Sequence, residues 1–524
     1  MDTLLHRFKG KINGAISGFD RLIFKGMFRT IMYAAGMQTY LMRRNVLNKD
    51  FKEYAMKQSK AIVESAEEMS KRLCNRGTTY IASSNDRKET IARDRQKENG
   101  IKEGLIGIWS CVESCYTFRS TYNPYEPYPI LRREESRCKH LYYYFDDPTY
   151  GFMSIRLQTW APYEIQIALN GREWLRRSLD ANGCGYTMNG NKFLDIDNYE
   201  LAQKLLNEQI NTDFMQLLNS FLPIVFPLMP QIVEGLSYYW TVWQSEIAKD
   251  YIFNDTEALK SLMDDFLRYS MITGTGDRIL KYFGAPVKPN GQPHANANPE
   301  ILSRAKLWYE GLRARHWYGK NSVKFYNEHN VLRFETTMND PTVFKVYRHS
   351  ENQDKSGPKR LMQMRKGVAD INVRAEVSKN IVNRFTEHMS NVKEKTSLHD
   401  LLDTVSKPII QKIDNKNKRV RALDVFGKDL ELIRAISDPA FNVSAITNKG
   451  LQNKLINTPW AKNMSGKKLS GRIGRHLLLL RKHGLIKKLP NQRSYSLTDK
   501  GRKISTGINA ALASSVEELL KIAA

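Results

Sequence analysis

No uninterrupted apolar run in this chain reaches the roughly 20 residues a membrane helix needs. The longest, Phe221 to Val233, is cut by Pro223, Pro227 and Pro230, which marks a buried segment. Cysteine is scarce. Five in 524 residues is an odd number that argues against a disulfide scaffold and for a reducing, cytoplasmic compartment. The first thirty residues mix Lys9, Lys11, Asp20, Arg21 and Lys25 among apolar positions, which is not the build of a secretory signal. Chemical signatures are missing as well. There is no Walker phosphate loop, no dinucleotide glycine fingerprint, no zinc-protease helix motif and no Gly-x-Ser-x-Gly elbow. Gly274-Thr275-Gly276 lacks the strand–loop–lysine setting of a nucleotide loop. Acidic side chains are the last shortage: 55 Asp and Glu against 81 Lys and Arg give a net charge of +26. A chain this basic is expected to meet a polyanion, most often a nucleic acid. With 41% hydrophobic residues it still has apolar material for sizeable cores, so it is not a disordered basic tail.

The length leaves room for roughly three or four domains. Residues 1–104 read as mostly helical, with Phe19-Asp20-Arg21-Leu22-Ile23-Phe24 opening one amphipathic helix and Phe51–Leu73 forming another. Thr79–Ala82 reads as a lone strand. Residues 105–350 form an α+β block. Its first strands are expected at Leu105–Trp109, Tyr116–Arg119, Leu141–Phe145, Phe152–Trp160 and Tyr163–Leu169. Helices follow at Arg172–Asp180 and within 197–220, then a strand at Tyr238–Phe253 and a helix capped near Asp255. After a Pro-, Gly- and Asn-rich loop at Val287–Asn298, strands return at Leu312–Trp317, Ser322–Asn327, Val331–Met338 and Phe344–Tyr347. A polar loop covers 350–358. Residues 351–424 read as one long helix, 366–393, and a helical, lysine-rich connector. The whole predicts an α+β core on an antiparallel, palm-like sheet.

The most informative stretch is 425–524. Ser465-Gly466-Lys467-Lys468 leads into a helix with Arg472, Arg475, Arg481 and Lys482 on its polar side. Ile473, Leu477 and Leu480 recur at spacings of four and three as one apolar stripe. Gly484 stands just past the helix, where a left-handed cap belongs. Leu485–Leu489 and Ser494–Leu497, joined by Pro490-Asn491-Gln492-Arg493, predict a hairpin carrying Lys487, Lys488 and Arg493. Thr498 then caps a last helix. From Lys462 to Lys503 there are thirteen Lys and Arg against one acidic residue. A basic helix followed by a basic hairpin is the build of a winged helix-turn-helix. Its helix would enter the major groove of duplex DNA and its wing would touch the backbone. The plainer alternative is a solvated basic surface. His483–Lys488 with Ser494–Lys503 also resembles the wing and closing helix of MarR-type regulators, at this end of the chain only.

Three pieces of the middle region could carry chemistry. Gln166–Glu173 is a strand that runs through Asn170-Gly171 into a helix. In Glu246-Ile247-Ala248-Lys249-Asp250, a strand puts both carboxylates on one face. Lys324-Phe325-Tyr326, a turn at Glu328-His329-Asn330 and Leu332-Arg333-Phe334-Glu335 make a hairpin that brings Tyr326 near Arg333 or Glu335. Carboxylates of this kind suit Mg2+ or Mn2+. A tyrosine could then attack phosphorus while Lys or Arg neutralises the developing charge. The expected metal ligands are Glu246, Asp250 and Glu335. The expected nucleophile is Tyr326, with Tyr318 as its competitor, and Lys324 or Arg333 near the phosphate. The bland reading of the same carboxylates is ordinary salt bridging.

These stretches, in this order, resemble the rolling-circle replication initiators of small plasmids and filamentous phages. The likeness runs over residues 160–350, through Gln166–Arg172, Glu246–Asp250, Phe325–Glu328 and Arg333–Glu335. It implies metal-dependent nicking or joining of DNA strands, as in initiators and mobile-element enzymes. The chain departs from the pattern in its first turn, which lacks a second glycine and a cysteine, and in Glu246, which stands for an aspartate. It also lacks the His-hydrophobe-His pair with which related nickases often bind metal. The competing expectation is a nucleic-acid-binding protein without chemistry. That class includes a transcriptional regulator, and an RNA-binding or RNA-guided protein whose sheet aromatics stack on bases. Expected partners are duplex DNA at the winged helix, single-stranded DNA or RNA at the central domain, and no membrane.

A separate cluster is Cys111-x3-Cys115 with Cys138-x-His140. It offers four soft donors of the kind zinc accepts, with 22 residues between the pairs. The alternative is small buried thiols in a β region.

Overall fold

The structure is a computed structural model that describes residues 2–82, 87–125, 127–274, 276–285, 300–308, 311–349, 358–392, 398–413, 416–438, 441, 445–489 and 492–515. The expected loop at Val287–Asn298, most of that at 350–358 and the turn residues Pro490 and Asn491 lie outside the described residues. Contacts divide the chain into two units, Met1–Met271 with Leu302–Ser390, and Ile272–Ile301 with Asn391–Ala524.

The first unit is mixed α/β and is organised by a mostly antiparallel sheet. Its strands in chain order begin with β1 (Ile12–Met27), β2 (Thr79–Tyr80), β3 (Gly104–Thr121), β4 (Ile130–Asp147), β5 (Gly151–Gln158) and β6 (Ile165–Asn170). A small separate hairpin follows, β7 (Tyr186–Asn189) with β8 (Lys192–Ile196). The sheet then resumes with β9 (Tyr239–Phe253), β10 (Ile301–Trp308), β11 (Gly311–Tyr318), β12 (Asn321–Glu328) and β13 (Val331–Met338). The spatial order is β10-β11-β12-β13-β9-β1-β6-β5-β4-β3-β2, eleven strands. β2 pairs in parallel with β3, whereas the pairs from β11 through to β3 are antiparallel.

β1 corrects the helical expectation for Phe19–Phe24. It is a central strand, paired with β9 on one side and β6 on the other. The misleading signal has a physical origin. Phe19 pairs with Ile247 and Arg21 with Glu246, so Asp20 is an extra residue, a β-bulge. The bulge lets Phe19 and Leu22, three apart, both be buried, which copies a helical spacing. Beyond it, buried Leu22, Phe24 and Gly26 alternate with half-buried Ile23, Lys25 and Met27 at the strand period of two. The first hundred residues therefore contribute a strand to the middle of the sheet.

One sheet face is covered by helices. Phe51, Ala55, Ile62 and Ala66 of helix Phe51–Cys74 pack with Ile108, Leu141, Tyr143 and Ile155 in one core. The proline-cut segment joins the same core as two one-turn helices, Leu222–Val225 and Met229–Ile232. No helix among the described residues is long and apolar enough to cross a membrane.

The second unit has its own core, with Leu432, Ile436, Leu451, Leu455, Leu469, Ile473, Leu477 and Leu480 among its members. The expected helical connector is only partly helical: a short helix, Leu398–Asp403, is followed by a paired strand set, Ile409–Ile413 with Lys416–Val420. Helices Asn448–Leu455 and Gly466–Lys482 come next, then strands Ile486–Lys488 and Ser494–Leu497, then helix Asp499–Ala513. Ser494–Leu497 pairs with Ile486–Lys488 on one side and with Ile446–Thr447 on the other. Gly484, at φ +73°, turns the chain out of the long helix in the left-handed region. Thr498 Oγ1 caps the last helix by accepting from the Gly501 amide at 3.0 Å.

Candidate functional site

Three adjacent strands bring three carboxylates together. Asp20 comes from the bulge of β1, Glu246 from β9 and Glu335 from β13. All are buried, and one oxygen of each lies within 4.8 Å of the others. The bulge is what aims Asp20 at the group, because an extra residue re-directs a side chain that regular pleating would send elsewhere. Two cations border the trio. Arg21 NH2 is 3.2 Å from Glu246 Oε1, and Lys324 Nζ is 2.9 Å from Glu335 Oε1. Arg21 is half exposed, whereas Lys324 is mostly buried. Arg315 lies across from Lys324 on β11. Gln244 donates to Glu246 at 2.9 Å.

The trio is electrostatically uneven. Burial, and then the negative charge of Glu335, raise the Glu246 carboxyl above the usual range despite Arg21. Burial also acts to raise Asp20, but Arg333, Lys192 and Arg172 outweigh it and hold that carboxyl below the usual range. Oxygen donors of both kinds, closely spaced, suit a hard divalent cation.

Asp250 has a different place from the expected one. It shares the face of Glu246 but is taken by arginines. Arg333 Nε and NH2 meet Asp250 Oδ1 and Oδ2 at 2.5 and 2.7 Å, and Arg172 NH2 meets Oδ2 at 2.9 Å. Arg333 NH1 also reaches Asp20 Oδ1 at 2.8 Å. With Asp250 so held, the carboxylate that completes the group is Asp20. Arg333 is likewise corrected: fully buried and bound to two carboxylates, it is unavailable to a phosphate. Arg172 gets there because Asn170 caps helix Gly171–Ala181, accepting from the Arg172 amide at 2.9 Å. Gly171 permits the approach, since a Cβ there would sit 2.1 Å from the Phe19 carbonyl oxygen.

The two tyrosines separate. Tyr326 lies directly across from Arg333, and its hydroxyl is 3.5 Å from Glu335 Oε2, beyond an ordinary O–H···O bond. It is 4% exposed, and burial pushes its phenol well above the usual range. Tyr318 is corrected as a competitor. In β11, Arg313 and Arg315 pair with Tyr326 and Lys324, whereas Tyr318 shares the face of Ala314 and His316 and so projects from the opposite side.

The cysteine cluster forms in part. Cys115, Cys138 and His140 gather in the interior, and Cys111 is not in the group. The Cys115 and Cys138 sulfurs are 2.9 Å apart, closer than the about 3.8 Å that two zinc–sulfur bonds at a tetrahedral angle impose. Cys111 faces Glu113, and burial with that carboxylate pushes its thiol up to about 12. Burial, with Arg156, pushes His140 down to about 4. Three donors in this geometry do not make a closed zinc site.

In the second unit, Lys467, Lys468, Arg475, Arg481, Lys487, Lys488 and Arg493 are exposed, and Arg472 and Lys482 are half buried. None of the nine forms an ion pair among the described residues. Arg472 lies over the Trp460 ring at 4.3 Å.

Sequence reasoning missed Asp20, Arg21 and Lys192. Asp20 carried the only usable signal, a lone acid inside an apolar run, and the helical reading disguised it. Comparison of the chain with protein-family models, with curated proteins and with solved structures finds no match.

Proposed function

We propose that the protein is a metal-dependent nucleic-acid enzyme that nicks or joins DNA strands. One observation carries this reading: the convergence of Asp20, Glu246 and Glu335 beside Lys324 and Arg21. In this reading the trio holds Mg2+ or Mn2+, which polarises a phosphate and activates the attacking group. With a cation held by the trio, Lys324 and Arg21 would be the side chains placed to neutralise charge on the phosphate. The burial of Tyr326 favours water over phenolate as nucleophile. The C-terminal elements act as a winged helix-turn-helix, with helix Gly466–Lys482 on duplex DNA and strands Ile486–Lys488 and Ser494–Leu497 as the wing. The likeness to rolling-circle initiators supports the same reading. The test is incubation of the protein with supercoiled and single-stranded DNA and either metal. Metal-dependent nicks support it, and intact DNA in every condition removes it. The second reading, binding without chemistry, is favoured by the ion pairs that already neutralise Glu246 and Glu335.

A further inference from the structure

A separate cavity of about 830 Å³ lies in the first unit, where the start of β9 meets the segment before helix Ile371–Met389. Its volume is within the range of about 300–1,000 Å³ typical of small-molecule sites. Four cations line it, Arg29, Arg348, Lys359 and Arg365, against two carboxylates, Asp213 and Asp370. Both carboxylates are already engaged. Asp213 caps a helix by accepting from the Gln216 amide at 3.0 Å, and Asp370 is held by Arg365 and Arg348. Arg29 and Lys359 are exposed and form no ion pair among the described residues. The wall thus keeps an excess of positive charge facing open space.

Two further features suggest what fills it. Arg29 sits over the Tyr239 ring, 3.5 Å from its centroid, and Tyr347 is 68% exposed. A guanidinium–ring stack and an open phenol ring are platforms for a flat heterocycle. We propose that this cavity binds a nucleoside phosphate. The base stacks on Tyr347, and Arg29 and Lys359 hold the phosphates. The site is built without any glycine-rich phosphate loop.

The test is titration of the full chain with a fluorescent N-methylanthraniloyl derivative of ATP, followed by displacement with ATP, pyrophosphate and adenosine. Saturable binding is expected, with ATP displacing the probe better than either fragment. Arg29→Ala with Lys359→Ala should weaken binding on the order of tenfold or more, since charge-assisted contacts are lost. Tyr347→Ala should weaken it by a smaller factor. All three residues are exposed, so an unchanged thermal melt is expected and would exclude misfolding as the cause. Glu335→Gln should leave probe binding unchanged, which separates this cavity from the carboxylate trio. Absence of saturable binding, equal binding by the double variant, or equal displacement by pyrophosphate and ATP would overturn the proposal.

Discussion

Arg333 and Asp250 lie opposite each other on β13 and β9 and close a two-point ion pair, with neither side chain exposed. The guanidinium fork matches the carboxylate, so both oxygens are satisfied where water is excluded. Arg172 adds a second cation to the same carboxylate. This pair ties β9 to β13 directly beside the trio and fixes the spacing of Glu246 and Glu335. Asp250 lies outside the group of three closely spaced carboxylates, Asp20, Glu246 and Glu335.

Removing one side of such a pair strands the other. Asp250→Asn is expected to destabilise the protein by about 3–5 kcal/mol at neutral pH. The pH dependence follows from the direction of the shift. Burial acts to raise the Asp250 carboxyl, but Arg172 and Arg333 outweigh it and hold it below its ordinary value. Its contribution is then present above the unfolded value of about 3.9 and is lost as pH falls through the lower folded value. Urea unfolding of wild type and variant across pH should show a gap that is widest near neutrality and narrows below about pH 4. Equal stability at pH 7 would contradict the structure's placement of Asp250.

Tyr326→Phe removes only a hydroxyl. With water as nucleophile, the variant should keep cleaving, and wild type should leave no protein attached to DNA ends after denaturation. A denaturation-resistant adduct lost in Tyr326→Phe would make the tyrosine the nucleophile.

Duplex binding should depend on the exposed cations of the second unit. Arg475→Ala, Lys487→Ala and Lys488→Ala together should weaken binding at low salt. Each lost phosphate contact should reduce the slope of log affinity against log salt by about 0.9. An unchanged salt slope would place the DNA elsewhere.

The cysteine cluster should hold no stoichiometric metal. Elemental analysis of the purified protein is expected to show well under one zinc per chain, and Cys111→Ser should leave that value unchanged. A full equivalent of zinc lost in Cys138→Ser would mean that the two sulfurs move apart to admit the ion.

The sequence made the strand hairpins and the basic C-terminal elements readable because their signals are local. Period-two alternation, the turn at Glu328-His329-Asn330, Gly484 and Thr498 each act within a few residues. It also brought Tyr326 near Arg333 or Glu335, since one short turn sets that hairpin; the register puts Tyr326 opposite Arg333 and Lys324 opposite Glu335. Asp20 was not readable. Its role depends on a bulge between strands more than two hundred residues apart, and the bulge itself imitates a helical period. Which carboxylates remain for a cation was hidden for the same reason. Arg172 claims Asp250 only after helix Gly171–Ala181 docks on β1, a long-range event that no spacing records.

The most direct test of the central claim is Glu335→Gln, which keeps the shape of the side chain and removes the charge a hard cation needs. Mn2+ binding by calorimetry and nicking of supercoiled and single-stranded DNA are measured on wild type and variant, alongside duplex binding. Wild type is expected to bind Mn2+ and to cut, and the variant to lose both while holding duplex DNA as before. Metal-dependent cutting at the wild-type rate by Glu335→Gln would contradict that claim.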